Sequence, residues 1–304
     1  MTQSEPFAVT GLEFAGPLWI KAQRSAKEAY FVIFVCAVTR AVHLELVEAM
    51  SATAFLLAFR RFVARRGIPK VVYSDNAKAF RKSNKEIRKL WDVTHGHEIE
   101  EKIAEWRVEW RYNVPYTPCW GGFYERLLRS VKVTLKKTIG ARCLKEAELN
   151  TILTEVEAVL NSRPITFVYE EEGTHPLCPS AFLTGKRLTT LQNTKASDVP
   201  ESSGSTLQIM WQKRAENLNT FWKRWSAEYL TELRNFHNKS KGGQRQVDDI
   251  VIVRDDRKKR QGWSTGQIIR SFPGKDGKTR AFEVRMSDRT TVLRPGDLLY
   301  KLEV

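Results

Sequence analysis

The stretch Pro118-Cys119-Trp120-Gly121-Gly122-Phe123-Tyr124-Glu125-Arg126-Leu127 decides how the rest of the chain is read. Its proline and glycine pair stop what precedes and open a helix, whose periodic run continues to Gly140, a good C-cap residue. At about 100° per residue, Phe123, Leu127, Val131 and Leu135 form one apolar stripe. Glu125, Arg129, Lys132 and Lys136 fall along another line, so a single carboxylate stands at the helix mouth with cations at i+4, i+7 and i+11 behind it. Such a line is either a solvated charged face with Glu125–Arg129 pairing, or a metal-ligating carboxylate beside a track for a phosphate backbone. The surrounding chain decides between them.

Upstream, residues 7–20 read as a first strand broken by Gly16-Pro17, and residues 30–39 as a continuous apolar strand of the buried kind. Residues 41–47 alternate, with Val42, Leu44 and Leu46 facing one way and His43 and Glu45 the other. That alternation makes His43 a surface strand residue. Short connections predict a three-stranded meander. Ser51 is then an N-cap for a helix carrying Phe55, Leu56, Phe59 and Phe62 or Val63, which ends near Gly67. Residues 70–74 form a short strand that delivers Asp75 and Asn76 at its carboxyl end, where open α/β sheets assemble their sites. Asp75 is the first aspartate of the chain. Residues 78–105 are charged and predict two helices around His95-Gly96-His97, whose histidines read as a loop rather than a metal pair. Residues 108–114 supply a fifth strand.

Downstream of the basic helix, Leu149, Ile152, Leu153, Val156 and Leu160 mark another amphipathic helix, stopped at Asn161-Ser162-Arg163-Pro164. Composition shifts to Thr, Asn, Ser and Gly from Leu188 onward. A helix over residues 210–236 follows, with Trp211, Leu218, Trp222, Trp225, Tyr229 and Leu233 as a stripe for packing rather than base stacking. Short strands at 250–253, 266–269, 281–286 and 290–293, separated by tight turns, predict a small barrel. From Lys241 onward there are 15 basic and 9 acidic residues, so this end is basic too.

The 304 residues carry a formal net charge of +15, which favours a polyanionic partner. No apolar run approaches the roughly 20 residues that span a bilayer, and the first residues lack the pattern of a signal peptide. Cys36, Cys119, Cys143 and Cys178 are widely spaced, with no Cys-x-x-Cys pair, which argues against a zinc module and for a reducing, intracellular setting.

One ordered set of motifs now becomes specific. Glu13-Phe14-Ala15-Gly16-Pro17, the run Ala37-Val38-Thr39-Arg40-Ala41-Val42-His43-Leu44-Glu45-Leu46, Tyr73-Ser74-Asp75-Asn76, Trp120 to Arg126 and Leu160-Asn161-Ser162-Arg163-Pro164 stand in order. Together they resemble the integrase of BEL/Pao-type LTR retrotransposons, in the retroviral integrase superfamily. The likeness covers residues 7–191. The end of the chain is similar to the C-terminal domain that follows the core in those elements.

The resemblance implies an α/β chain: an RNase H-like mixed five-stranded sheet flanked by helices, a helical segment, and a small SH3-like β-barrel. It divides the sequence into a catalytic core over 1–190, a linker over 191–208, a helical connector over 209–240 and a basic β domain over 241–304. It implies a DDE triad that binds two divalent ions, Mg²⁺ or Mn²⁺, and no zinc. Asp75 matches the second acid and Glu125 the third, while Glu13 stands where the first aspartate belongs. Two such ions activate a nucleophile and stabilise a leaving oxygen at phosphorus, giving 3′-end processing and strand transfer. Arg126, Arg129, Lys132, Lys136, Asn76 and Lys78 are the implied DNA contacts. Double-stranded DNA, both element ends and target, is the implied partner, with a homo-oligomer acting in the nucleus and no membrane. Glu13 departs from the pattern by one methylene, and Ala77 replaces a glycine usual after Asp-Asn. The motifs begin at the first core strand, with no zinc-binding module ahead of them. Two readings follow: an active transferase using Glu13, Asp75 and Glu125, or an integrase derivative that has lost turnover and binds nucleic acid.

Overall fold

The structure is a computed structural model that describes residues 5–22, 25–74, 108–112, 122–140, 142–170, 173–186, 205–239, 245–255, 263–273 and 279–302. Residues 112, 122–126, 167–170, 173–175, 205–214 and 236–239 are described by backbone alone. The expected loop at His95 and His97 lies outside the described residues. The chain divides into two compact units, each taken by itself: Met1–Leu160 with Asn193–Leu218, and Asn161–Gln192 with Asn219–Val304.

In the first unit, β1 (Val9–Lys21), β2 (Ala26–Cys36) and β3 (Val42–Val47) form the expected antiparallel meander. On the other side of β1, β4 (Val71–Ser74) and β5 (Glu109–Tyr112) pair in parallel, so the sheet order is β3-β2-β1-β4-β5. This is the RNase H-like mixed sheet that the motifs imply. A short β6 (Cys143–Leu144) adds to the far end of β1.

Gly16-Pro17 does not break the first strand. Ala15 pairs with Phe31 and Leu18 with Ala29, so β1 uses three steps where β2 uses two. The extra residue is a β-bulge, the place where a proline without an N–H is tolerated inside a sheet. β1 thereby stays continuous from the site to β6.

Helix α1 (Ala52–Arg66) begins at Ser51, whose hydroxyl accepts the Ala54 N–H at 3.2 Å. It ends at Gly67, which has φ 85° and whose N–H bonds the Val63 carbonyl. The apolar face of α1 covers one side of the sheet: Phe62 stacks on Phe34 at 4.3 Å, and Phe55 meets Phe14 and Trp110 edge-on. Trp110 in turn donates its indole N–H to Ser74 Oγ at 2.8 Å, locking the end of β4 to β5.

Helix α2 (Gly122–Ile139) packs on the opposite side, with Leu128, Val131, Leu135 and Ile139 buried. Its end is held by Arg142, whose Nε donates to the Ile139 carbonyl at 3.0 Å and whose Nη2 bonds the Thr138 carbonyl. A cation on the last carbonyls is favourable for the helix dipole. Helix α3 (Glu146–Asn161) buries all five residues of its expected stripe, from Leu149 to Leu160.

The second unit holds a hairpin of β7 (Thr166–Glu170) and β8 (Gly173–Leu177), and a short α4 (Pro179–Thr184). The long α5 (Ser205–Lys239) runs from the first unit into the second. Beyond it, β9 (Ile250–Val253), β10 (Ser264–Pro273), β11 (Thr279–Met286), β12 (Thr291–Pro295) and β13 (Leu299–Lys301) make an antiparallel sheet in the order β12-β11-β10-β9-β13. It fits an SH3-like domain and has one strand more than the sequence predicts. Within this unit Trp225 is fully buried between the rings of Phe221 and Tyr229, and Trp263 closes on it edge-on. The described members of the stripe, Leu218 to Leu233, are packing residues as expected, while the Trp211 side chain lies outside the described residues. Among the described residues no helix is long and apolar enough to cross a membrane.

Candidate functional site

Glu13 occupies the middle of β1, between the buried side chains of Leu12 and Phe14 and opposite Ile33 on β2. Phe14 points toward α1, so alternation turns Glu13 to the face on which α2 lies. There its carboxylate Oε1 takes the ammonium of Lys132, which reaches it from the third turn of α2. Both partners are about 30% exposed, at 30% and 28%. The pair is therefore neither a fully solvated surface contact nor a dry one.

Lys132 lies seven residues after Glu125, so the contact fixes α2 beside the strand that carries Glu13. Backbone geometry places Glu125 and Arg126 in the first turns of α2, while their side chains lie outside the described residues. Arg129 and Lys136 are exposed on the same line as Lys132, three residues before and four after it. β4 ends at Ser74, which pairs with Leu12, the neighbour of Glu13. Asp75, Asn76 and Lys78 lie outside the described residues. Of the implied site, the structure brings together Glu13 and Lys132, with Arg129 and Lys136 alongside.

The donor chemistry of Glu13 fits a hard divalent cation. Glu13 offers carboxylate oxygen, and a positive charge already stands against it. Among the described residues no group of three or more His, Cys, Asp or Glu side chains is gathered that could hold a metal; Asp75 and the Glu125 side chain are not among those residues.

A second polar cluster lies within the same unit, and the sequence reading missed it. His43 is fully buried, contrary to the surface position that alternation predicts. The reason is that the edge strand β3 is covered on both sides. The His43 ring lies 5.5 Å from Phe62 of α1, and its Nε2 meets Glu45 Oε1 at 2.9 Å. Its Nδ1 lies 3.3 Å from Glu157 of α3. Arg61 binds the Glu45 carboxylate at 2.6 Å, Arg65 binds it as well, and Arg66 binds Glu157 at 2.5 Å. Arg66 Nε also lies 3.4 Å from His43 Nδ1. That approach is long, and it is not a bond once both ring nitrogens carry protons for the two carboxylates. Burial works against the charged imidazolium, but the bonds to Glu157 and Glu45 outweigh it and raise the His43 pKa above its ordinary value. The signal was present in the sequence: His43 and Glu45 share a strand face, and Arg61, Arg65 and Arg66 recur at helical spacing. No local pattern supplies Glu157.

Comparisons with known proteins add the following. Residues 209–302 match a family described as of unknown function, DUF5641. No curated protein sequence matches the chain. Among solved structures, the simian T-cell lymphotropic virus intasome in complex with PP2A regulatory subunit B56 gamma is similar at 12% identity and TM-score 0.38, covering 99% of this chain and 80% of that one. The HTLV-2 integrase catalytic core domain in complex with magnesium, in a trimeric form, is similar at 14% identity and TM-score 0.33, covering 53% and 90%. The catalytic core domain of BIV integrase is similar at 15% identity and TM-score 0.35, covering 59% and 95%.

Proposed function

We infer that this chain is a polynucleotidyl transferase of the integrase kind, from a BEL/Pao-type retrotransposon, acting on double-stranded DNA in the nucleus. The observation that carries the reading is the placement of Glu13. It lies at the centre of β1 in an RNase H-like sheet, with its carboxylate turned to the helix that Glu125 opens, and with Lys132 of that helix upon it. Glu13, Asp75 and Glu125 would hold a pair of Mg²⁺ or Mn²⁺ ions. When bound, such ions lower the pKa of the attacking oxygen and stabilise the leaving one during in-line displacement at phosphorus.

The chain's own residues bind and orient the substrate. Arg129 and Lys136 are exposed along α2, where their charges face a phosphate backbone without reading its sequence. Arg270, Arg280, Arg285 and Arg289 are exposed on the SH3-like domain and add a second basic surface. Because phosphate contacts dominate, binding is salt-sensitive.

A nucleic-acid-binding derivative without turnover is the second reading. What favours it is that glutamate replaces the expected aspartate, where catalytic groups need placement within about 0.5 Å. Strand transfer with labelled DNA ends and Mn²⁺, comparing wild type with Glu13→Asp, separates the two. Products from wild type support the transferase. Products from the aspartate variant alone leave this chain as a binding protein, and absence of DNA binding by either protein defeats both readings.

A further inference from the structure

We propose that Lys132 is a built-in counter-ion of Glu13 that a divalent cation must displace, so that metal loading releases Lys132 to the DNA track on α2. The inference deepens the metal-dependent reading above and rests on it.

Three observations carry it. First, the contact is direct: the ammonium bonds Oε1 of a carboxylate 119 residues earlier in the chain. Second, the Glu13 side chain is only 30% exposed, on the face of β1 against which α2 lies. Water reaches it from one side only, so a cation beside it offsets the lost hydration. A second cation at the same carboxylate would sit within a few ångströms of the ammonium, and in a partly desolvated site such like charges repel strongly. Binding is therefore exchange rather than addition. Third, Lys132 has an exposed alternative. Arg129 and Lys136 lie one turn to either side of it on the same face of α2, both in solvent. A four-carbon stem lets the ammonium swing onto that line, where it becomes the third cation facing phosphate. In the metal-free state the same residue keeps Glu13 neutralised and stops it repelling DNA. Metal binding and DNA binding are then positively coupled through one side chain.

The test is Mn²⁺ binding to the full chain, followed by electron paramagnetic resonance of the free ion. Wild type is compared with Lys132→Met, Lys132→Gln and Glu13→Gln/Lys132→Met, each checked for folding by circular dichroism. Lys132→Met keeps the apolar stem and removes the competing charge, and is expected to bind Mn²⁺ about tenfold more tightly than wild type, within the usual range for coupled sites. Lys132→Gln reports the same gain where the Met variant does not fold. The double variant is expected to lose the gain. Equal or weaker binding by the folded Lys132 variants overturns the exchange while leaving the metal-dependent reading intact. A gain that survives Glu13→Gln overturns it too, because the ion then sits elsewhere. If neither wild type nor the Lys132 variants bind Mn²⁺, the metal-dependent reading fails, and the exchange with it.

Discussion

The backbone N–H of Leu44 donates to Glu157 Oε2 at 2.9 Å, across 113 residues of sequence. Leu44 lies on β3, the edge of the sheet, and an edge strand presents backbone donors and acceptors that need covering. Glu157 satisfies one donor from a helix, and its other oxygen takes Arg66 at 2.5 Å. The side chain is only 12% exposed, so removing it leaves a half-buried arginine, a buried histidine and a backbone amide without their partner. Glu157→Ala is expected to cost about 3 kcal/mol of unfolding free energy, measured by urea denaturation. Glu157→Gln, which still accepts from Leu44, is expected to cost less. Equal losses from the two variants would show that the edge amide contributes nothing.

The same cluster sets a pH dependence. Burial opposes charge on His43, yet its bonds to Glu157 and Glu45 raise its pKa above 6.5 in the folded state. Burial also opposes charge on Glu45 and Glu157, yet hydrogen bonding with His43 leads the interactions that hold both below 4.5. A raised pKa means that the folded state binds the proton more tightly. The His43 contribution is therefore complete below pH 6.5 and is lost as pH rises through the folded value. The carboxylates behave oppositely, contributing above pH 4.5 and losing it as pH falls through their folded values. The stability gap between wild type and His43→Gln should accordingly narrow as pH is raised from 6 toward 9. A gap that is flat over this range would mean that folding leaves the His43 pKa unshifted, and a gap that widens would mean that His43 is neutral in the fold.

Much of the sheet was legible because its signals are local. Residues 30–39 and 41–47 declare strands by apolar content and alternation, and Ser51 and Gly67 punctuate α1. The basic helix was legible for the same reason, since its apolar and charged lines repeat every turn. What failed were inferences that depend on what lies across space. Gly16-Pro17 looked like a break, because nothing in β1 shows that β2 can absorb one extra residue. His43 looked solvent-facing, because alternation describes a half-covered sheet and β3 is covered on both faces. β13 was missed since three residues after Pro295-Gly296-Asp297 carry no period. The Glu13–Lys132 contact was legible only as two candidates for one site, not as partners.

Gly266 on β10 offers a test of the SH3-like domain. A Cβ built there would lie 2.6 Å from the Arg285 carbonyl oxygen and 2.6 Å from Val284 Cγ1. Arg285 pairs with Gln267 and Val284 with Ile268, so β11 cannot retreat without opening the ladder. Val284 is itself in the domain core with Ile268 and Phe282. Gly266→Ala is expected to destabilise the domain by about 2 kcal/mol, seen as a lower denaturation midpoint. An unchanged midpoint would mean that β10 and β11 separate more readily than their pairing indicates.

The basic line of α2 makes a quantitative claim about DNA. Each phosphate that a protein cation neutralises releases condensed counter-ions, and contributes about 0.9 to the slope of log K against log salt. Arg129 and Lys136 are both exposed on the face that carries Lys132. If they lie along a phosphate backbone, Arg129→Glu with Lys136→Glu should weaken binding to any duplex and flatten the slope by about 2. The loss should be similar for unrelated sequences, because a lysine or arginine on phosphate positions the duplex without reading bases. Neither residue packs in the core, so folding should persist. A weakened affinity with an unchanged slope would place the phosphates elsewhere, with the basic residues of the SH3-like domain the next surface to alter.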